Sequence, residues 1–430
     1  MLASEDQLTR NSYYLATAQL YPGYEPLQGN RSCDVCIVGA GLSGLSAAIE
    51  LRRAGLEVVV LEAAHVGWGA SGRNGGQVLG GLACDMSVVR RQLGTDAART
   101  IWDMTVEAVE LVAQRRREFA IECQWQDGFI AAAIGPRRAK ELRVWVEELE
   151  RDYGYGGMRL IDRAQVRQWI DSQRYEALAF DPRGGHLHPL RYTQGLARAG
   201  AGLGVCIHER SRAIKLERGT APVIHTERGA LRCRHVLLAG NVYLEELAPE
   251  LSKRIMPVGT FMAASARLDA DRARALIPSQ ACVSDTQFVL DYFRLSGDHR
   301  VLFGGRVSYS TVVPRDLAST MRRRMLGVFP QLHDVPIEYS WGGFVDITMN
   351  RAPDFGRIAP NIFYLQGFSG HGLALSGLAG KLVAEAIGAN AARFDVFARM
   401  PHRIFPGGPA LRMPALVLAM AWYRLRDLLS

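Results

Sequence analysis

The sequence predicts an α/β fold in which a parallel strand–turn–helix–strand unit is interrupted by a region built on a mixed or antiparallel β-sheet. Three observations carry this. A buried-strand pattern at residues 33–39 runs through a glycine-spaced turn into a helical pattern. From Met256 to Phe344 the chain alternates, with many β-branched and aromatic residues. A last strand, Ile362 to Gln366, returns through another glycine-rich turn to a helix. At 430 residues the chain can form two domains or one large composite, with a core that needs no staples.

Residues 1–32 are polar without a long apolar run, so no signal peptide is expected, and this segment reads as an ordered arm or a linker. Cys33 to Gly39 is a buried strand, Leu42 to about Ala54 a helix closed by Gly55, and Leu56 to Leu61 a valine-rich second strand. That unit predicts parallel strands joined by a right-handed crossover. Helical patterns at Ile101 to Phe119 and Pro136 to Tyr153 flank a short strand at Gly128 to Ala133. Strands return at His208 to Ile214, Val223 to Thr226 and His235 to Ala239. After Ile362 to Gln366 a helix runs from Leu373 to about Gly388. The interleaving predicts a nucleotide domain in three pieces (33–105, 176–255 and 345–392) and a substrate domain in two (106–175 and 256–344). An arm (1–32) and a C-terminal tail (393–430) complete the chain. In the tail, Met413 to Tyr423 is apolar between Arg412 and Arg424. A membrane span needs ~20 apolar residues, so a helix packed on the body is expected, with an interfacial anchor as the minority alternative.

The chain is 48% hydrophobic and 22% charged, the mix of an ordinary soluble enzyme. Its net charge of +8 comes without a broad basic stripe: Arg115 to Arg117 and Arg322 to Arg324 have helical surroundings and read as solvated faces. Nucleic-acid binding is therefore not expected. A mild positive bias suits a dianionic cofactor or an acidic substrate. Seven scattered cysteines, an odd count, point to a reducing compartment and hence to the cytoplasm. Cys33 and Cys36, three apart on a strand, are expected to face opposite sides as small buried residues. No metal-ligand spacing is present.

Gly39, Gly41 and Gly44 have the G-x-G-x-x-G spacing, in Gly39-Ala40-Gly41-Leu42-Ser43-Gly44. The first permits a tight turn, the second lets a pyrophosphate reach the backbone, and the third lets helix and strand pack closely. The turn follows a strand and opens a helix, which is the context a dinucleotide site requires. Glu62, followed by Ala63, ends the second strand about 20 residues on. An acid there accepts ribose hydroxyls and repels a 2′-phosphate.

Two further segments select FAD over NAD. In Trp68-Gly69-Ala70-Ser71-Gly72-Arg73-Asn74-Gly75-Gly76-Gln77 the glycines let the backbone run under a flat ring, while Arg73 and Gln77 offer donors. In Gln366-Gly367-Phe368-Ser369-Gly370-His371-Gly372 a strand turns into the helix starting at Leu373, whose N-terminus would stabilise negative charge on a reduced ring. His371 is a candidate catalytic side chain there, against the alternative of a structural imidazole.

These three segments resemble the DAO (D-amino-acid oxidase) superfamily of FAD-dependent oxidoreductases, over nearly the whole chain. Within it the sequence is most similar to the γ-glutamylputrescine oxidoreductases, through Ser12-Tyr13-Tyr14, His186-Leu187-His188-Pro189-Leu190, Leu302-Phe303-Gly304-Gly305-Arg306, Trp341-Gly342-Gly343, Phe405-Pro406-Gly407-Gly408 and Tyr423 to Asp427. The resemblance implies a Rossmann-type, glutathione-reductase-like cofactor domain with an inserted substrate domain. It implies that Val205 to Arg210 meets the adenine and that Leu238-Ala239-Gly240-Asn241 closes over the pyrophosphate. It also implies oxidation of an amine C–N bond by hydride transfer to flavin N5, imine hydrolysis, and reoxidation by O2 or another acceptor. An amino-acid or sarcosine-type oxidase or dehydrogenase is the alternative within the fold, and a non-catalytic flavoprotein module the alternative outside it. Relatives that bind flavin covalently carry a cysteine near Ile347-Thr348 or a histidine at Ser71-Gly72, so non-covalent FAD is expected here.

For the substrate, Trp341, Phe344 and Tyr339 are expected as an aromatic wall for an alkylammonium chain, with a packed sheet core as the competing reading. The strand expected at Phe288 to Leu295 carries Tyr292, a further candidate catalytic-site residue, and Arg294. Arg306 or Arg294 can clamp a substrate carboxylate in bidentate fashion, although exposed structural arginines are commoner.

Overall fold

The structure, a computed structural model, describes residues 5, 8–18, 21–287, 289–308 and 316–406, with the backbone alone for 306–308. Two sheets organise these residues. The first runs in the order Asp354–Ala359, Ile362–Gln366, Gly229–Leu238, Arg31–Val38, Val58–Leu61 and Cys206–His208, with Val223–Thr226 and Lys215–Glu217 attached through Gly229–Leu238. Its central pairs are parallel, with Val38 beside Leu61 and Leu61 beside His208. The run Val58–Leu61 is buried throughout, as expected for a strand covered on both faces. Helix Leu42–Arg53 forms the first crossover, and Gly55 at φ 85° turns the chain out of it.

The second sheet runs in the order Ile337–Thr348, Ile255–Ser265, Val301–Ser308, Tyr292–Leu295, Cys282–Asp285, Gln126–Ala133, Ala177–His186 and Gln77–Val78, with Arg159–Asp162 beside Ala177–His186. Its pairs are antiparallel except Cys282–Asp285 against Gln126–Ala133, so the sheet is mixed. Phe261, Phe293 and Phe303 from this sheet share one apolar layer with Met321 and Met325 of helix Leu317–Val328.

Several expectations are corrected. Ala177–His186 and Gln77–Val78 fall in ranges given to the nucleotide domain, yet both belong to the second sheet, where Gln77 stands opposite His186. Strand Ile337–Thr348 also runs across the boundary expected at residue 345. Alternation shows that a strand exists and not which sheet receives it. The strand expected at His208 to Ile214 ends at His208. Arg210 adopts φ 49° and breaks the extended chain, while buried Glu209 accepts N–H groups of Tyr24 at 3.1 Å and Val66 at 2.7 Å. Cys33 and Cys36 share one apolar layer with Cys233 rather than facing opposite sides. The N–H groups of Asp34 and Val35 both meet Glu57 O, an irregularity that interrupts the alternation.

Within the N-terminal arm, Tyr13 and Tyr14 of the short helix Tyr13–Thr17 are buried against Trp341 and Tyr339. The helix expected at Met413 to Tyr423, and Gly407 and Gly408, lie outside the described residues. Among the described residues no helix is long and apolar enough to cross a membrane, and no group of three or more His, Cys, Asp or Glu is arranged to hold a metal.

Candidate active site

A cavity of about 840 Å³ is lined by residues of both sheets. At one end lie Gly39, Gly41, Leu42 and Ser43, with Glu62 and Ala63 beside them. Gly39 has φ 112°, and a Cβ there would stand 2.6 Å from Ala239 O. A Cβ on Gly41 would stand 2.7 Å from Ser71 Oγ, which accepts the Leu42 N–H at 2.9 Å. Gly44 packs on Gly39 O, where a Cβ would come within 2.0 Å. A side chain at any of the three glycines would collide with its neighbours, as the spacing implies for a tight turn and close helix–strand packing. The Glu62 carboxylate accepts N–H groups of Ala40 and Ala64, both at 2.9 Å, and burial raises its pKa from the ordinary value.

The segment 69–77 forms the next wall. It is less open than its glycines suggest, because Ala70–Arg73 makes one helical turn and Gln77 enters a strand. Arg73 is buried and donates to Gly69 O at 3.2 Å, Gly342 O at 3.0 Å and Tyr243 Oη at 3.2 Å, with Trp68 stacked 4.6 Å away. Gln77 donates to Val283 O at 2.9 Å and accepts from Ser284 Oγ at 3.0 Å. Gly69, Ala70, Ser71, Arg73, Asn74, Gly75 and Gln77 line the cavity. Ala40, Gly44, Gly76 and Gly367 stand behind the lining and shape the backbone.

Ala239 and Gly240 line the cavity beside Gly39, and Ser369, Gly370, His371, Gly372 and Leu373 contribute another part of its wall. Helix Leu373–Ile387 has no side-chain cap, nor has Leu42–Arg53, so both helix N-termini open toward one cavity. His371 Nε2 pairs with Gly80 O at 2.9 Å, and burial lowers its pKa from the ordinary value, which favours the neutral ring. That bond gives the ring a holding role, with His371 still at the cavity wall.

The substrate-side residues separate. Tyr292 and Phe344 line the cavity with Met256, Val258 and Thr260. Gly75 and Gly304 make room for the Tyr292 ring, since a Cβ at Gly304 would lie 2.0 Å from it. Trp341 and Tyr339 instead pack with the arm, because positions 339 and 341 share one strand face and 344 lies on the other. Trp341 is fully buried, and its Nε1 donates to Arg73 O at 3.0 Å. Arg294 is no clamp either. It donates to Gly75 O at 2.8 Å, Leu187 O at 2.9 Å, Leu295 O at 3.2 Å and Tyr14 Oη at 3.1 Å and pairs with His186 Nδ1 at 3.4 Å, which uses up its five N–H groups. The Arg306 side chain lies outside the described residues.

Other residues of the site carried little sequence signal, although Asp346 begins the segment to Pro353 that the sequence places close to the flavin. Asp346 is buried at the cavity, accepts the Gly367 N–H, and burial pushes its carboxyl up to about 6. Tyr243 sits on a single 3-10 turn, in no recognisable pattern. Gly380 lets the two cavity-facing helices touch, as a Cβ there would stand 2.3 Å from Ser43 O; its only trace is the run of small residues in that helix.

Comparison with known proteins decides the family. The DAO family, described as "FAD dependent oxidoreductase", matches residues 34–386. This chain is a DAO-family FAD-dependent oxidoreductase. The DAO-family enzyme is 41% identical to the gamma-glutamylputrescine oxidoreductase of Escherichia coli (strain K12) over 98% of its own length and 99% of that chain. Among solved structures it resembles the glycine oxidase from Geobacillus kaustophilus, with TM-score 0.72 and 19% identity over 86% of this chain and 99% of the other. It also resembles the L-proline dehydrogenase from P.horikoshii, with TM-score 0.70 and 20% identity over 86% and 96%. These confirm the α/β fold with mixed sheets. The cavity of the DAO-family enzyme fits FAD: at about 840 Å³ it is roomy, Gly39 and Gly41 of the glycine turn line it, and Leu42 and Leu373, at two helix N-termini without side-chain caps, line it too.

Proposed function

We propose that this enzyme oxidises the C–N bond of an amine of the γ-glutamylputrescine type. One observation carries the chemistry. The acids lining the cavity are Glu62 and Asp346, and both are engaged by backbone N–H groups. The wall formed by Met256, Val258, Thr260, Tyr292 and Phe344 offers no charged acid or base. Such a wall suits a reaction in which the cofactor does the redox work and the protein binds, orients and excludes water.

FAD, held along Gly39 to Ser43, Glu62, segment 69–77 and the turn 369–373, supplies a two-electron acceptor. Tyr292 and Phe344 hold the alkyl chain of the amine by apolar contact. A neutral amine loses two electrons and two protons to become an imine, which takes up water to give an aldehyde and ammonia. O2 is the proposed final acceptor and leaves as H2O2. The near full-length similarity to the gamma-glutamylputrescine oxidoreductase supports the choice of amine. The FAD is held non-covalently, in keeping with Ile347-Thr348 and Ser71-Gly72 at the positions where other attachments would need cysteine or histidine. All seven cysteines are free, which supports a cytoplasmic setting.

Anaerobic mixing of the holoenzyme with a panel of amines and amino acids tests this. Bleaching of the flavin band by γ-glutamylated amines alone is the expected result. Bleaching by amino acids instead moves the enzyme to an amino-acid oxidase or dehydrogenase, and no bleaching by any compound refutes the reading.

A further inference from the structure

We propose that Glu5, on the N-terminal arm, is a positioning residue that balances the charge of Arg73 and thereby sets the reduction potential of the bound FAD. Glu5 is fully buried. Its Oε1 accepts the Tyr243 hydroxyl at 2.9 Å and lies 3.9 Å from Arg73 Nη1. Its Oε2 is buried without a hydrogen-bond partner among the described residues. Arg73 and Tyr243 both line the cavity, so Glu5 sits one layer behind that wall.

Arg73 makes all its hydrogen bonds to neutral acceptors, namely two carbonyls and the Tyr243 hydroxyl. Glu5 is its carboxylate partner among the described residues. A guanidinium on the wall favours negative charge in the cavity, and a carboxylate behind it cancels part of that field, with little screening in a dry interior. Burial raises the Glu5 carboxyl, while Arg73 and the Tyr243 hydroxyl lower it.

The arm is fixed well enough to hold this position. The Tyr14 hydroxyl accepts from Arg294 at 3.1 Å, the Tyr13 hydroxyl donates to Asp298 at 2.5 Å, and Trp341 packs on Tyr14 while bonding Arg73 O. The same arm therefore braces segment 69–77 from behind and supplies its counter-charge. Because reduction adds negative charge to the flavin, neutralising Glu5 leaves Arg73 uncompensated and makes reduction easier.

The inference rests on Arg73 facing the flavin ring and does not depend on which amine is oxidised. The test is a reductive titration of purified holoenzyme against reference dyes at pH 8, without amine. Glu5→Gln and Glu5→Ala are expected to shift the reduced-to-oxidised ratio about tenfold toward reduced flavin, an upward shift of about 30 mV for a two-electron couple. Glu5→Asp keeps the charge and should stay near wild type. Arg73→Gln should move the potential the other way. An unchanged potential in whichever of Glu5→Gln and Glu5→Ala folds, or a shift in Glu5→Asp equal to that in Glu5→Gln, overturns the proposal. Failure of both neutral variants to yield folded holoenzyme marks Glu5 as a stability residue and overturns it too. If Arg73→Gln alone leaves the potential unchanged, the placement of Arg73 is what fails. If Arg73→Gln shifts and Glu5→Gln does not, the role of Glu5 fails.

Discussion

Asp346 illustrates what burial does to a single group. It lies almost wholly out of water, and desolvation lifts its carboxyl from 3.8 to about 6 even though it accepts the N–H of Gly367. The folded state then holds the proton more tightly than the unfolded chain. The associated stability is fully present below about pH 4 and is lost as pH rises through 6, for a total of ~3 kcal/mol. Asp346→Asn removes that ionisation. Thermal unfolding of the holoenzyme across this window should show the variant gaining on wild type as pH rises, and a constant difference would contradict the assignment. The sequence places Asp346 beside an aromatic strand and gives no sign of its burial. Gly41 is the opposite case: its place in the motif implied a position where a side chain would collide, and a Cβ there would stand 2.7 Å from Ser71 Oγ.

The elements around segment 69–77 act as a unit. Arg294 reaches from strand Tyr292–Leu295 to Gly75 O and Leu187 O, and Trp341 reaches from Ile337–Thr348 to Arg73 O. Arg294→Ala would leave several buried carbonyls without a donor. A loss of ~3 kcal/mol or more in chemical unfolding is expected, together with reduced FAD content, because the segment loses its brace. The strand and its arginine were both legible in the sequence, and the role was not. Residue type at a strand position leaves open which neighbour the side chain meets. The same holds for Trp341: alternation along its strand puts it opposite Phe344, but only the packed arm shows that its face is the inner brace.

At the scale of the whole molecule, the cavity is lined by residues of both sheets and of two helix N-termini, where FAD is proposed to bind. Binding at 100 times the dissociation constant adds ~2.7 kcal/mol, so the unfolding temperature should rise with added FAD. Acid precipitation should release the yellow colour to the supernatant, and colour kept in the pellet would refute non-covalent binding.

The sequence by itself determined the glycine turn, the two glycine-rich segments that line the cavity, the α/β class and the helices that carry them. Each of these depends on residues close together in the chain, where spacing and backbone freedom act directly. Only the tertiary structure decided which sheet receives Ala177–His186, that Arg294 and Trp341 are braces rather than substrate contacts, and that Glu5 lies beside Arg73. Those are contacts between residues far apart in the chain, and burial and charge at such a contact depend on the partner, which no local pattern contains.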